Sequence, residues 1–162
     1  MAEGARVEES RRITPVIAAL REDFRKLLAR YEHRALDSGY GDCPLRMAQC
    51  REILSDVLRE GDERDYRLDR FVIMPNHVHL LVLPLTERPL GTLVGGWKRH
   101  SARLINRTLG KSDTLWQQES FDHVVRSAEK LKAFRRYIEA NPVKAKLSAE
   151  AYTVGCGSGI AL

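Results

Sequence analysis

Residues 66–83 read Tyr-Arg-Leu-Asp-Arg-Phe-Val-Ile-Met-Pro-Asn-His-Val-His-Leu-Leu-Val-Leu. Leu68, Phe71, Val72 and Ile73 predict a strand from Tyr66 to Met74. Pro75-Asn76 breaks it, because proline lacks a backbone donor for a ladder. His77 to Leu83 then resumes as a second, largely buried strand of β-branched and apolar residues. So short an interruption makes the two a hairpin or a sharply kinked pair.

Helical rhythms flank this pair. Upstream, Val16, Ile17, Leu20, Phe24, Leu27 and Leu28 recur at helical spacing between Pro15 and Arg30, opened by Thr14-Pro15. Asp37 to Asp42 reads as a loop, and a second helix is expected from about Met47 to Arg59, ending at Gly61. Downstream, Leu90 to Leu109 has Leu93, Trp97 and Leu104 on its buried side. Arg99, Arg103 and Arg107 step by four along another. Trp116 to Val125 suggests a short strand or extended segment. A last helix runs from the Ser127 cap to about Ala140, with Pro142 at its end. Beyond Ala151 the run Gly155-Cys156-Gly157-Ser158-Gly159 predicts a loose tail over residues 151–162, after a single domain of residues 1–150.

Charge is unevenly distributed. Residues 1–96 carry 15 Lys/Arg against 16 Asp/Glu, whereas residues 97–162 carry 12 against 6. A basic second half is the footprint of a surface that meets phosphates. Cys43, Cys50 and Cys156 form no CxxC pair and predict neither a zinc knuckle nor a disulfide framework. The apolar run around Leu80–Pro84 is too short for a bilayer, and Met1–Ser10 is no signal segment. The expectation is a protein without a membrane, in the cytoplasm.

Two segments carry chemistry. In a strand, His77 and His79 project to one face while Val78 faces the other way. Two imidazoles on a rigid element are able to bind one divalent metal, or else to be hydrogen-bonded in a polar groove. In Arg135-Arg136-Tyr137-Ile138-Glu139-Ala140-Asn141-Pro142-Val143-Lys144, Tyr137 and Asn141 stand one turn apart on one helix face. The pair reads either as a phenol nucleophile beside an amide metal ligand, or as a packed aromatic before a helix stop. Arg135, Arg136, Lys144 and Lys146 surround it with charge that would hold a phosphate and favour a phenolate.

Together these segments resemble a known family. The run Phe71 to Val82 resembles the HUH motif (His, apolar residue, His) of single-tyrosine transposases, the transposases of the smallest insertion sequences. Tyr137 to Ala145 is similar to their tyrosine helix, and Trp116-Gln117 with Phe121 to Arg126 also looks like that family. Within it, the acidic loop and following segment, Leu36 to Arg46, resembles the REP-associated tyrosine transposases. The resemblance covers roughly residues 34–147.

It implies a ferredoxin-like α+β fold: a central antiparallel sheet carrying the histidines, with helices on one face. It also implies Mg²⁺ or Mn²⁺ held by His77, His79 and Asn141, with Tyr137 as nucleophile forming a 5′-phosphotyrosine. Arg99, Arg103, Arg107, Arg135, Arg136 and Lys144 are the expected DNA contacts. Trp97 and Trp116 are expected in the core. The expected partner is single-stranded or hairpin DNA of a prokaryotic nucleoid, bound by a monomer or homodimer. From ligand chemistry alone imidazoles suit zinc or nickel equally, so the metal's identity belongs to the resemblance.

Family members begin with an apolar strand, and Met1–Ser10 is none. A late start, a fragment such as Ala151–Val154 in that strand's place, or a decayed copy are the alternatives. Two other functions compete: a catalytically silent DNA-hairpin binder, and a phosphodiesterase that activates water instead of tyrosine.

Overall fold

A computed structural model describes residues 43–161. The expected helix over Pro15–Arg30, the loop at Asp37–Asp42 and most of the Leu36–Arg46 segment lie outside the described residues. So does the opening run in which a first strand was sought.

The two segments read as strands form an antiparallel hairpin, β1 (Tyr66–Ile73) and β2 (Val78–Pro84). Tyr66 lies opposite Pro84 and Ile73 opposite Val78, with a bulge at Asp69 between Leu68 and Arg70. Met74 N–H donates to His77 O at 2.8 Å and closes the Met74–His77 connection. Three helices accompany the strands: α1 (Ala48–Arg59), α2 (Leu90–Leu109) and α3 (Ala128–Lys144). This is the α+β class with an antiparallel sheet that was expected. α2 has the bounds read from its periodicity, and Gly110, in the left-handed region at φ 64°, ends it.

The helices do not share one face of the sheet, contrary to expectation. Leu68, Phe71 and Ile73 of β1 are buried with Leu54 and Leu58 of α1 and with Leu93, Trp97 and Ile105 of α2. Val72, Met74 and Leu81 are buried on the other side with Leu131 and Ile138 of α3. The reason lies in the run Phe71-Val72-Ile73-Met74, which has no polar face to leave in water. Both sides of β1 therefore need a helical cover.

α3 also continues past its expected end. Pro142 lies inside it, wholly buried. A proline near a helix terminus loses only one ladder bond. Ala145 N–H still donates to Asn141 O at 3.0 Å. The segment from Trp116 to Val125 has no regular structure.

Part of the segment expected to be loose is regular. Thr153–Cys156 is a strand, β3, antiparallel to β1 on the edge that β2 does not use, giving the order β2-β1-β3. Thr153 and Val154, from the fragment Ala151–Val154, thus lie in a strand beside β1. Its glycines allow close approach. A Cβ at Gly155 would stand 2.6 Å from Phe71 Cε1 and 2.9 Å from Arg59 Nη2. One at Gly157 would stand 2.8 Å from Leu68 O. Beyond the strand, Asp62 accepts from Ser158 N–H at 2.6 Å and Gly159 N–H donates to Leu68 O at 2.9 Å. Arg51, buried in α1, donates to Leu45 O, Arg46 O, Glu150 O and Thr153 Oγ1 at 2.6–3.1 Å. One guanidinium thus joins the start of the described chain to its end. The described residues fall within one compact unit, Gly41–Leu162.

Candidate active site

The β1–β2 register sets the histidines. His79 lies opposite Val72, so it faces α3. His77 is the last residue of the connection rather than the first of β2, yet its ring lies edge-on to that of His79, centroids 4.8 Å apart. His77 is buried. Its Nδ1 lies 2.9 Å from Asn76 Oδ1; a proton on Nδ1 donated to that oxygen would leave Nε2 with a lone pair. Sequence reading missed Asn76 in this part, although its position beside the pair was the signal.

α3 brings the other half. The Ser127 hydroxyl accepts from Lys130 N–H at 3.2 Å and caps the helix, while Leu131 and Ile138 seat it on the sheet. Tyr137 then meets His79 edge to face, centroids 5.5 Å apart, and Lys144 Nζ stands 5.3 Å from the centre of the tyrosine ring. An ammonium so placed is able to stabilise negative charge near the ring. Asn141, one turn beyond Tyr137, is buried, and its Nδ2 has no hydrogen-bond partner. An unused Nδ2 donor fits an acceptor, such as a phosphate oxygen.

Among the described residues no three His, Cys, Asp or Glu side chains cluster as metal ligands. A divalent ion held at the two histidines would take its remaining ligands from other residue types, from water or from a phosphate. The Asn141 amide, on the helix that carries Tyr137 to His79, is of the right chemistry.

The basic residues divide. Arg136 and Lys144 are exposed on α3. Arg135 is engaged within the protein: its Nε donates to Asp69 Oδ1 at 2.9 Å and its Nη2 to Ile160 O at 2.7 Å. Asp69 is 2% exposed. Burial alone would raise its carboxyl. The Arg135 hydrogen bonds, the Ile160 N–H and the charges of Arg135 and Arg70 outweigh burial and hold it below the ordinary range. Such a buried carboxylate holds the Arg135 guanidinium against the sheet. The visible signal was an acid inside an apolar strand.

Arg99, Arg103 and Arg107 are exposed on α2, which packs on the opposite face of the sheet from the histidines and Tyr137. Arg103 Nη2 lies 3.0 Å from His100 Nδ1. Trp97 belongs to the core, and Trp116, partly buried, packs against it. Trp97 Nε1 donates to Tyr66 Oη at 3.1 Å, and Trp116 Nε1 to Ser101 Oγ at 2.9 Å. No helix among the described residues is long and apolar enough to cross a membrane.

Residues 45–141 match the family model described as "Transposase IS200 like", a span that holds both histidines, Tyr137 and Asn141. Neither curated proteins nor solved structures gave a match.

Proposed function

The chain belongs to the family of IS200-like transposases, and on that premise we propose that it nicks and rejoins single-stranded DNA through Tyr137. The family makes it a DNA-processing protein of the transposase type, with DNA as partner. The finer reading is a metal-dependent endonuclease and strand transferase of the HUH kind, acting at hairpin DNA of the REP type. The observation that carries it is the meeting of His77, His79 and Tyr137, rings 4.8 and 5.5 Å apart, from two elements widely separated in sequence.

His77, His79 and Asn141 would hold Mg²⁺ or Mn²⁺, which supplies Lewis-acid polarisation of the scissile phosphate. The Tyr137 oxygen forms a bond to phosphorus and the bond from phosphorus to the 3′-oxygen breaks. The phenol gives up its proton, and the 3′-oxygen leaves as a hydroxyl after gaining one. One phosphodiester replaces another, so the exchange is nearly balanced, needs no nucleotide hydrolysis and runs backwards to rejoin strands. Lys144 and Arg136 steady the phosphate. Arg99, Arg103 and Arg107, on the far face, bind backbone phosphates of the hairpin away from the cut. His79 and Tyr137 meet within one chain, which supports a site whose two halves come from the same protomer.

The test is a nicking assay on end-labelled single-stranded hairpin DNA with Mn²⁺ or Mg²⁺. Wild-type protein should give a covalent protein–DNA band on a denaturing gel. Tyr137→Phe and a His77/His79 double alanine variant should not. Hydrolytic nicking that survives Tyr137→Phe would replace this reading with the water-activating phosphodiesterase.

A further inference from the structure

The Tyr137 helix is tied to the sheet by two charge pairs from consecutive residues of β1. Asp69, the bulge residue, receives Arg135, and Arg70 is paired with Glu139. Arg135 and Glu139 are four apart, so they share one flank of α3. At about 100° per residue, Tyr137 lies roughly 160–200° around the helix from them, on the opposite flank with Asn141. Leu131, Ile138 and Pro142 are buried between the two flanks.

An apolar seam of this kind resists separation from the sheet but resists rotation weakly, because hydrophobic contact is non-directional. Two charge-assisted pairs supply the missing direction, the more so because one is bidentate and its carboxylate is buried. Rotation about the axis moves both flanks together. A turn of about 10° carries a phenol oxygen roughly 8 Å from the axis through more than about 1 Å. A displacement of that size is on the order of a hundredfold in rate when a reacting atom is misplaced.

We propose that Asp69–Arg135 and Arg70–Glu139 are positioning pairs that fix the rotational setting of α3 and so hold the Tyr137 phenol against His79. The placement stands on the geometry. Its effect on rate rests on the nickase reading above. Arg135→Lys keeps a cation beside Asp69 but gives up the two-pronged contact. Glu139→Gln, at an exposed position, removes the second pair with little risk to folding.

The first readout is the ring resonance of Tyr137 in protein carrying ¹³C-tyrosine, identified as the one of five tyrosines missing from Tyr137→Phe. The second is the rate of covalent adduct formation at saturating hairpin DNA, measured alongside DNA affinity. Arg135→Lys should move the Tyr137 resonance and slow the adduct by about tenfold or more, with affinity within about twofold. Glu139→Gln should act the same way, by about threefold. An unmoved resonance and unchanged rate in both folded variants would overturn the proposal. So would a loss of affinity with the rate preserved, which would make Arg135 a DNA contact. If wild-type protein forms no adduct, the nickase reading fails by itself, and the resonance still decides whether the pairs position Tyr137.

Discussion

Replacing Gly155 with alanine should destabilise this protein, the reverse of what the same change does in a loose chain. β3 lies so close to β1 that the new Cβ would meet Phe71 Cε1 at 2.6 Å and Arg59 Nη2 at 2.9 Å. Phe71 cannot yield cheaply: it is wholly buried in the middle strand, with the Arg59 guanidinium 5.1 Å from its ring centre. Either the ring leaves its rotamer or β3 gives up its pairing from Arg70 to Ile73. Overpacking of this kind costs about 1–3 kcal/mol, and for a unit of this size that lowers Tm by roughly 4–12 °C. Gly96→Ala is the internal control, since nothing lies within 4 Å of its added Cβ in α2. There alanine should stabilise by about 0.5–1 kcal/mol. Thermal denaturation followed by circular dichroism reads both. A Gly155→Ala protein as stable as wild type, or more stable, would refute the docking of β3, because a free tail gains from the lost flexibility of glycine.

Other perturbations test neighbouring parts. Asp62 and Asp69 are held below the ordinary carboxylate value of 3.8, hydrogen bonds outweighing the burial that would raise them. The unfolded chain therefore takes up protons first, so their contribution is present above about pH 3.8 and lost as acid titrates them below it. Asp69→Asn should flatten that acid limb in urea titrations run from pH 6 to pH 3. Tyr66→Phe removes a hydroxyl that donates to Leu58 O at 2.8 Å and accepts from Trp97 Nε1 at 3.1 Å. It should cost about 1–3 kcal/mol in chemical denaturation, and a neutral result would contradict this buried network. Asn76→Ala frees His77 Nδ1 and should weaken Mn²⁺ binding about tenfold by calorimetric titration. Unchanged affinity would remove Asn76 from the site.

The juxtapositions were legible where spacing sets them. His79 lies on β2 and His77 just before it, near enough to extended spacing that the two rings still meet, and the helical turn of α3 places Tyr137 with Asn141. The family model spans all four. What was not legible depends on partners distant in sequence. Nothing local shows that Arg135 is taken by Asp69, 66 residues away, so its charge reads as a DNA contact. Gly155 and Gly157 read as flexible because glycine is permissive, whereas here they are small enough to lie against Phe71 and Leu68. The position of α3 could have been read from Phe71-Val72-Ile73-Met74, whose apolar side chains point alternately to two sides. A helix layer on one face leaves half of them bare.

The most direct measurement is peptide mapping by mass spectrometry of protein trapped on single-stranded hairpin DNA with Mn²⁺ and then digested with nuclease and protease. The expected result is a nucleotide on the peptide containing Tyr137, absent when His77 and His79 are alanine. A nucleotide on another residue would contradict the assignment of the nucleophile. Hairpin binding with no nucleotide on any peptide would mark the protein as the catalytically silent binder.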